Sequence, residues 1–264
     1  MPHLHSRVTG ASGAPLVVFL HGFLGSADDW AEILPSFEPS FRCAVVDLPG
    51  HGRSVETTSD RPYTLLETAT ALIELIDEID VPSFSLVGYS MGGRLALYVA
   101  AIYAMRVDRL VLESASPGLR TERERAERRQ HDEELARQVE EGELAAFVRQ
   151  WYEQPLFASL ARDPERRDAL IARRARNSTR GLAASLRGMG TGAQPSLWAE
   201  WAVNTIPALL VTGEEDPKFV ALGREMEQGC AASRLAVVTG AGHCVHYENP
   251  SAYTTLVKAF LEGS

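Results

Sequence analysis

The chain has no apolar run approaching the roughly 18 residues that a membrane-spanning helix needs, so no membrane partner is expected. It holds three cysteines, Cys43, Cys230 and Cys244, without metal-ligand spacing. That argues against a disulfide framework and a structural zinc site, and implies reduced thiols in the cytoplasm. It lacks an excess of positive charge, with 26 Lys and Arg against 35 Asp and Glu and a net charge of -9. Binding to nucleic acid needs a basic face, which disfavours that partner. The segment Met1-Pro2-His3-Leu4-His5 lacks a basic stretch followed by an apolar one, so no secretory signal is expected. Neither an internal repeat nor a low-complexity linker is evident. What remains is 264 residues, 45% apolar and 23% charged, enough for one large core and an insertion.

The most informative stretch is Leu86-Val87-Gly88-Tyr89-Ser90-Met91-Gly92-Gly93-Arg94, an apolar run entering G-x-S-x-G. This pattern marks a sharp strand-to-helix turn that exposes a serine nucleophile. Glycines at 88 and 92 suit it because a Cβ there would collide with neighbouring chain. Small residues Gly92, Gly93, Ala96 and Ala100 continue as a close-packed helix. A serine hydroxyl needs an imidazole to accept its proton and a carboxylate to fix the imidazole. The chain supplies both in the order serine, acid, histidine. Pro207–Gly213 reads as a strand followed by Asp216, and Leu235–Val238 reads as a strand followed by Gly242-His243.

Rivals exist for two of these positions. Glu113, Glu214 and Glu215 compete with Asp216 as the acid; His246 and His51 compete with His243. His246 reads as a structural or pocket-lining residue, and His51, in Asp47-Leu48-Pro49-Gly50-His51-Gly52, as one that satisfies loop backbone. Further upstream, Leu16–Leu20 is a strand running into His21-Gly22-Phe23-Leu24-Gly25. Such a loop supplies one oxyanion-hole N–H and the residue after the nucleophile supplies the other, so Phe23 and Met91 are the expected donors.

Strand and helix patterns alternate up to Arg109-Leu110-Val111-Leu112 and resume at Pro207. Between them the pattern is helical and rich in arginine, about fifteen lying from Arg120 to Arg187, interleaved with acids. Most of these read as solvated faces with i,i+4 pairs. The expected architecture is an α/β fold with a mostly parallel sheet flanked by helices. Residues 1–116 and 204–264 form the core, and 117–203 form an inserted α-helical cap over the nucleophile that selects the substrate.

These motifs resemble the α/β-hydrolase superfamily along the whole chain. More particular segments are Arg94 after the elbow, Ser116-Pro117-Gly118-Leu119, Trp151-Tyr152-Glu153-Gln154-Pro155-Leu156-Phe157 and Asp216-Pro217-Lys218-Phe219. They are similar to the 2-succinyl-6-hydroxy-2,4-cyclohexadiene-1-carboxylate synthases of menaquinone biosynthesis. That resemblance implies a lyase that eliminates pyruvate from 2-succinyl-5-enolpyruvyl-6-hydroxy-3-cyclohexene-1-carboxylate, with Ser90, His243 and Asp216 acting as a base. It implies that Arg94, Arg128 and Arg174 bind the three carboxylates of the substrate and that Tyr89 and Trp151 line the site; Arg123, Arg125 and Arg129 compete with Arg128 for its register, and Arg173 and Arg176 with Arg174. The elimination requires no metal or organic cofactor, and the sequence leaves the oligomeric state open, a monomer being compatible with it. Two other readings share the fold. A hydrolase of esters or carbon-carbon bonds would use the same triad and cap, though an apolar cap interior would suit it better. A catalytically silent binding module would have lost one of the three triad residues.

Overall fold

The computed structural model describes residues 2–55 and 63–263. Three strands are buried along their entire length: β2 (Leu16–Leu20), β4 (Phe84–Tyr89) and β6 (Ala208–Gly213). Continuous apolar runs of this kind belong in a parallel sheet covered on both faces. With β1 (Ser6–Thr9), β3 (Arg42–Val46), β5 (Val107–Glu113) and β7 (Ser233–Val238) they form a seven-stranded sheet of order β1-β3-β2-β4-β5-β6-β7. Only β1 runs antiparallel, against β3 at one edge.

Alternate residues of each strand feed opposite faces. On one face Val18, Leu20 and Leu86 pack with Leu72 and Ile76 of α2 (Leu65–Ile79) and Leu95 and Val99 of α3 (Met91–Ile102). On the other, Val17, Phe19, Val87 and Val211 meet Trp30, Phe37 of the short α1 (Leu34–Phe37), and residues of a C-terminal helix, Pro250–Glu262. Local signals set the ends of α2. Thr64 and Glu67 form a reciprocal capping box at its start, and Asp80 closes it in a left-handed conformation with φ 60°.

Between β5 and β6 the chain is helical: α4 (Glu122–Glu141), α5 (Leu144–Tyr152), a 3-10 segment (Pro155–Arg162), α6 (Pro164–Arg174), α7 (Thr179–Met189) and α8 (Trp198–Ala202). Most of them share a separate apolar cluster built from Ala136, Val139, Phe147, Val148, Leu170, Leu182 and Leu186, into which the core contributes Leu24. The long α4 buries only Asp132, Ala136 and Val139, a single stripe. Its exposed faces carry ion pairs such as Arg123–Glu127 and Arg137–Glu133, and Arg187 of α7 reaches across to Glu133 and Glu140. Hence most arginines of this region are spent on helix surfaces. The helix α8 follows this cluster in the chain, yet its Trp201 packs with the sheet core and donates to the Met226 carbonyl at 2.8 Å. After β6 come α9 (Pro217–Gly229), then β7, α10 (Val245–Glu248) and α11, the C-terminal helix already described. Among the described residues no helix is long and apolar enough to cross a membrane.

Phe19 is fully buried, with its ring 5.4 Å from both Trp30 and Phe37. The substitution Phe19→Ala is expected to cost about 3–5 kcal/mol in urea unfolding, because the sheet and the two large rings leave little room to collapse. A loss below about 1 kcal/mol would show that this face repacks freely.

Candidate active site

Ser90 sits where β4 turns into α3, with φ 51° and ψ -107°. A left-handed φ is unfavourable for serine, and the surrounding backbone holds it there. Its N–H donates to the Glu113 carbonyl on β5 at 2.8 Å. A Cβ on Gly88 would come within 2.5 Å of the Gly92 carbonyl oxygen, and one on Gly92 within 2.2 Å of the Leu20 carbonyl oxygen. Thus Gly88 is required for α3 to pass close to β4, and Gly92 for the turn to pass against the end of β2.

The next two residues arrive on loops at the same end of the sheet. Asp216 follows β6 and caps α9, its Oδ1 accepting from the Phe219 N–H at 3.2 Å. Its Oδ2 lies 2.7 Å from His243 Nδ1. A carboxylate can only accept, so Nδ1 carries the proton and Nε2 offers its lone pair to Ser90 Oγ at 3.3 Å. The loop carrying His243 is fixed by Ser114, whose hydroxyl donates to the His243 carbonyl at 2.8 Å. The rings of Phe219 and Phe157 stand edge-on to the imidazole at 4.8 and 5.6 Å.

The rival acid and rival histidine pair with each other instead. Glu113 holds His246 Nδ1 at 2.8 and 2.9 Å and also accepts from the His246 N–H at 3.0 Å. Both side chains are buried, and Trp30 packs on the His246 ring at 4.5 Å. Burial opposes charging this imidazole, but Cys244 and the Glu113 carboxylate outweigh it and raise its pKa above the ordinary value. The Glu215 carboxylate is engaged by Arg162 at the surface. His51 lies away from the serine, with Nδ1 donating to the Pro49 carbonyl at 3.0 Å. Burial, then the neighbouring His21, push its pKa down to about 3. It packs against His21 and Phe23 at 5.1 and 5.7 Å, supporting the loop after β2. His21 donates from Nδ1 to the Gly22 carbonyl at 2.8 Å and accepts the Leu48 N–H on Nε2 at 2.9 Å, both satisfied by one neutral tautomer. Neither Phe23 nor Met91 donates its backbone N–H to any acceptor among the described residues, and both residues face the cavity beside Ser90. Two unpaired donors next to a serine can hold an oxygen that becomes anionic.

That cavity has a volume of about 630 Å³ and lies between the sheet's loops and the inserted helices. Ser90, His243, Arg94, Arg128, Trp151 and Lys218 all line it. Arg94, one helical turn past Ser90, is buried, and its hydrogen bonds go to neutral oxygens: the Met189 carbonyl at 2.8 Å and Gln194 Oε1 at 3.2 Å. Burial, and next the nearby Arg128, push its pKa down to about 10, against the pull of Asp132. It therefore stays cationic at neutral pH, with no carboxylate bonded to it among the described residues. Arg128 donates from Nε to Asp132 at 2.7 Å, while Asp132 also accepts the Gly192 N–H at 3.0 Å. Trp151 stacks on Phe147 and meets Phe23 edge-on at 5.1 Å, forming a wall of the cavity. Among the described residues no three metal-ligating side chains converge.

Two expected site residues lie elsewhere. Arg174 does not reach the cavity. It is buried behind the loop after β2, with Nη1 2.5 Å from Asp29 and Nε donating to the Tyr152 hydroxyl at 3.2 Å. Burial opposes its charge, yet Asp29 and Tyr152 raise its pKa above the usual value, and Asp29 is correspondingly lowered. Its neighbour Arg173 lies 3.2 Å from the same carboxylate. The correction has a simple cause: a buried aspartate on the core captures the guanidinium that the resemblance would send to the substrate. Tyr89 likewise sits beneath the site. Its ring packs on His243 and His246 at 5.5 and 5.0 Å and fills the space that a Cβ on Gly22 would need. As the strand residue before the serine, it points to the opposite face of the sheet. Asp132, Gln194 and Lys218 were missed as site residues. Gln194 has no motif around it; Asp132 shows a faint signal, as the acid four residues after Arg128.

A family model described as alpha/beta hydrolase fold matches residues 15–250. The putative 2-succinyl-6-hydroxy-2,4-cyclohexadiene-1-carboxylate synthase of Bacillus subtilis (strain 168) is 41% identical over 253 residues, covering 96% of this chain and 92% of that protein. The synthase of the same name from Citrobacter koseri is 37% identical over 242 residues, covering 92% of each. The solved structure of MenH from S. aureus matches with a TM-score of 0.92 at 32% identity, covering 100% of this chain and 99% of that one.

Removing the Asp29 carboxylate would leave Arg174 buried without its counter-ion. Asp29→Ala is therefore expected to lose about 3–5 kcal/mol of stability, measured as the shift in denaturant midpoint. A change under about 1 kcal/mol would mean that Arg174 escapes to solvent and that the pair does not hold the helices to the core.

Proposed function

The chain belongs to the α/β-hydrolase family and to its 2-succinyl-6-hydroxy-2,4-cyclohexadiene-1-carboxylate synthases, and on that footing we propose how its cavity eliminates pyruvate from 2-succinyl-5-enolpyruvyl-6-hydroxy-3-cyclohexene-1-carboxylate. The ring carbon that bears the succinyl group carries an acidic hydrogen, because its anion is conjugated with the succinyl carbonyl and with the ring double bond. Ser90 Oγ takes this proton as its own passes to His243 Nε2. Negative charge moves onto the carbonyl oxygen, where the N–H groups of Phe23 and Met91 receive it. The dienolate then collapses through the ring double bond and breaks the carbon-oxygen bond to enolpyruvate, leaving a 2,4-diene. His243 returns its proton to the departing enolate, which is released as pyruvate. No acyl-enzyme forms and water is not a reactant. Asp216 holds the imidazole in the tautomer this relay needs and stabilises its charged form.

The observation that carries this reading is the convergence of Arg94 and Arg128 on the cavity that holds Ser90 and His243. Desolvating a tricarboxylate is costly without cationic donors, and a guanidinium whose only bonds go to neutral oxygens is ready for one. A hydrolase of neutral esters would gain nothing from two cations lining its cavity. The enzyme acts on a small molecule, and we assign it to the cytoplasm, a reading supported by three buried free cysteines.

The test is pyruvate release from freshly made substrate against the spontaneous rate. Ser90→Ala and His243→Ala should each cut kcat by roughly three orders of magnitude or more, with little added by the double variant, since the residues act as a unit. Near-normal turnover by either variant would overturn the relay. Arg94→Ala should lower kcat/KM by about 1.5–3 kcal/mol, roughly ten- to hundredfold, through weaker substrate capture. An unchanged kcat/KM would show that this guanidinium serves only its contacts to Met189 and Gln194.

A further inference from the structure

Three carboxylates enter the cavity on the lyase reading, but only two arginines of the expected three face it, because Arg174 is held by Asp29. One anion is left without a cation, which a desolvated site does not tolerate cheaply. Lys218 lines the same cavity from α9, and its ammonium makes no hydrogen bond or ion pair among the described residues. Its Nζ lies 5.6 Å from the centroid of the Phe219 ring, and Phe219 in turn abuts His243. The carboxylates around it are committed elsewhere: Asp216 to His243 and to the Phe219 N–H, and Glu215 to Arg162.

Its placement is also unusual on two independent counts. Lys218 occupies the first turn of α9, where the helix dipole favours acids and disfavours a cation, and that turn contains no acid. Three acids, Glu214, Glu215 and Asp216, precede it, but Asp216 is bonded to His243 and Glu215 to Arg162, and neither bonds the Lys218 ammonium. Moreover, of the 26 basic residues in the chain, only Lys218 and Lys258 are lysines. A compact charge on a flexible stem suits a group that must be captured at an exposed position and then let go.

We propose that Lys218 is the third anion-binding residue of the cavity, taking the substrate carboxylate that Arg94 and Arg128 leave unmet; this rests on the lyase reading. Lys218 thus works from the Asp216 and His243 side of the cavity, opposite in origin to Arg94 on α3 and Arg128 on α4. The three cations come from three separate elements, so they can hold a branched tricarboxylate at three points.

The experiment is steady-state pyruvate release by wild type, Lys218→Gln and Lys218→Arg. The expected result is a KM raised about tenfold in Lys218→Gln with kcat within about threefold of wild type, and a KM restored to within about threefold by Lys218→Arg. A KM within about twofold of wild type in Lys218→Gln overturns the proposal. So does a fall confined to kcat, or a raised KM that arginine does not restore, since either would mean that Lys218 serves the position of Phe219 rather than the substrate. Wild-type protein that releases no pyruvate above the spontaneous rate overturns the lyase reading itself, and this inference with it.

Discussion

Everything in the site is referred to one strained residue. Ser90 is held at φ 51° by a backbone that passes so close to its neighbours that only hydrogen fits on Gly88 and Gly92. The strain lifts Oγ out of the sheet and simultaneously starts α3, so the N–H of Met91 and the side chain of Arg94 are aimed from a single turn. The Glu113 carbonyl that accepts the Ser90 N–H belongs to β5, whose end also carries the Glu113 carboxylate bound to His246. In this way the strain at the serine and the loop that carries His243 are anchored to the same strand.

Charge in this protein is divided between two tasks, and burial decides which. Pairs that are desolvated together, Asp29 with Arg174 and Glu113 with His246, join segments distant in sequence and hold their geometry. Arg94 is also buried yet is bonded to neutral oxygens, so its charge is retained for something that is not protein. The exposed and half-buried arginines of α4 and α7 hold helices in register with modest energies. Arg128 lies between these classes, half committed to Asp132 while facing the cavity.

Much of this was legible from local pattern. The elbow, the order of serine, acid and histidine, and the break in strand-helix alternation depend on spacing and residue type within short windows, which sequence carries directly. Arg94 was legible for the same reason, since one helical turn from the nucleophile fixes its direction. The sequence favoured Asp216 but left Glu113 a rival, because both follow a buried strand and either could reach a histidine. What separates them is that β5 lies beside β4 and delivers Glu113 behind Tyr89, whereas the loop after β6 delivers Asp216 to His243.

The sequence by itself determined the doubly covered parallel sheet, the serine elbow, the helical insertion and the family, because each rests on contacts between residues close in the chain or on motifs read whole. Only the tertiary structure decided the partners of the long charged side chains. Arg128 and Arg174 stand on helices with equivalent local surroundings, rich in arginine and acid, and nothing within a few residues separates them. Their fates differ because Asp29, 145 residues from Arg174, waits buried on the core, while Arg128 meets only Asp132 on its own helix and keeps a face towards the cavity. Contacts of that separation are set by how the inserted helices settle on the sheet, a property of the packed whole rather than of any segment.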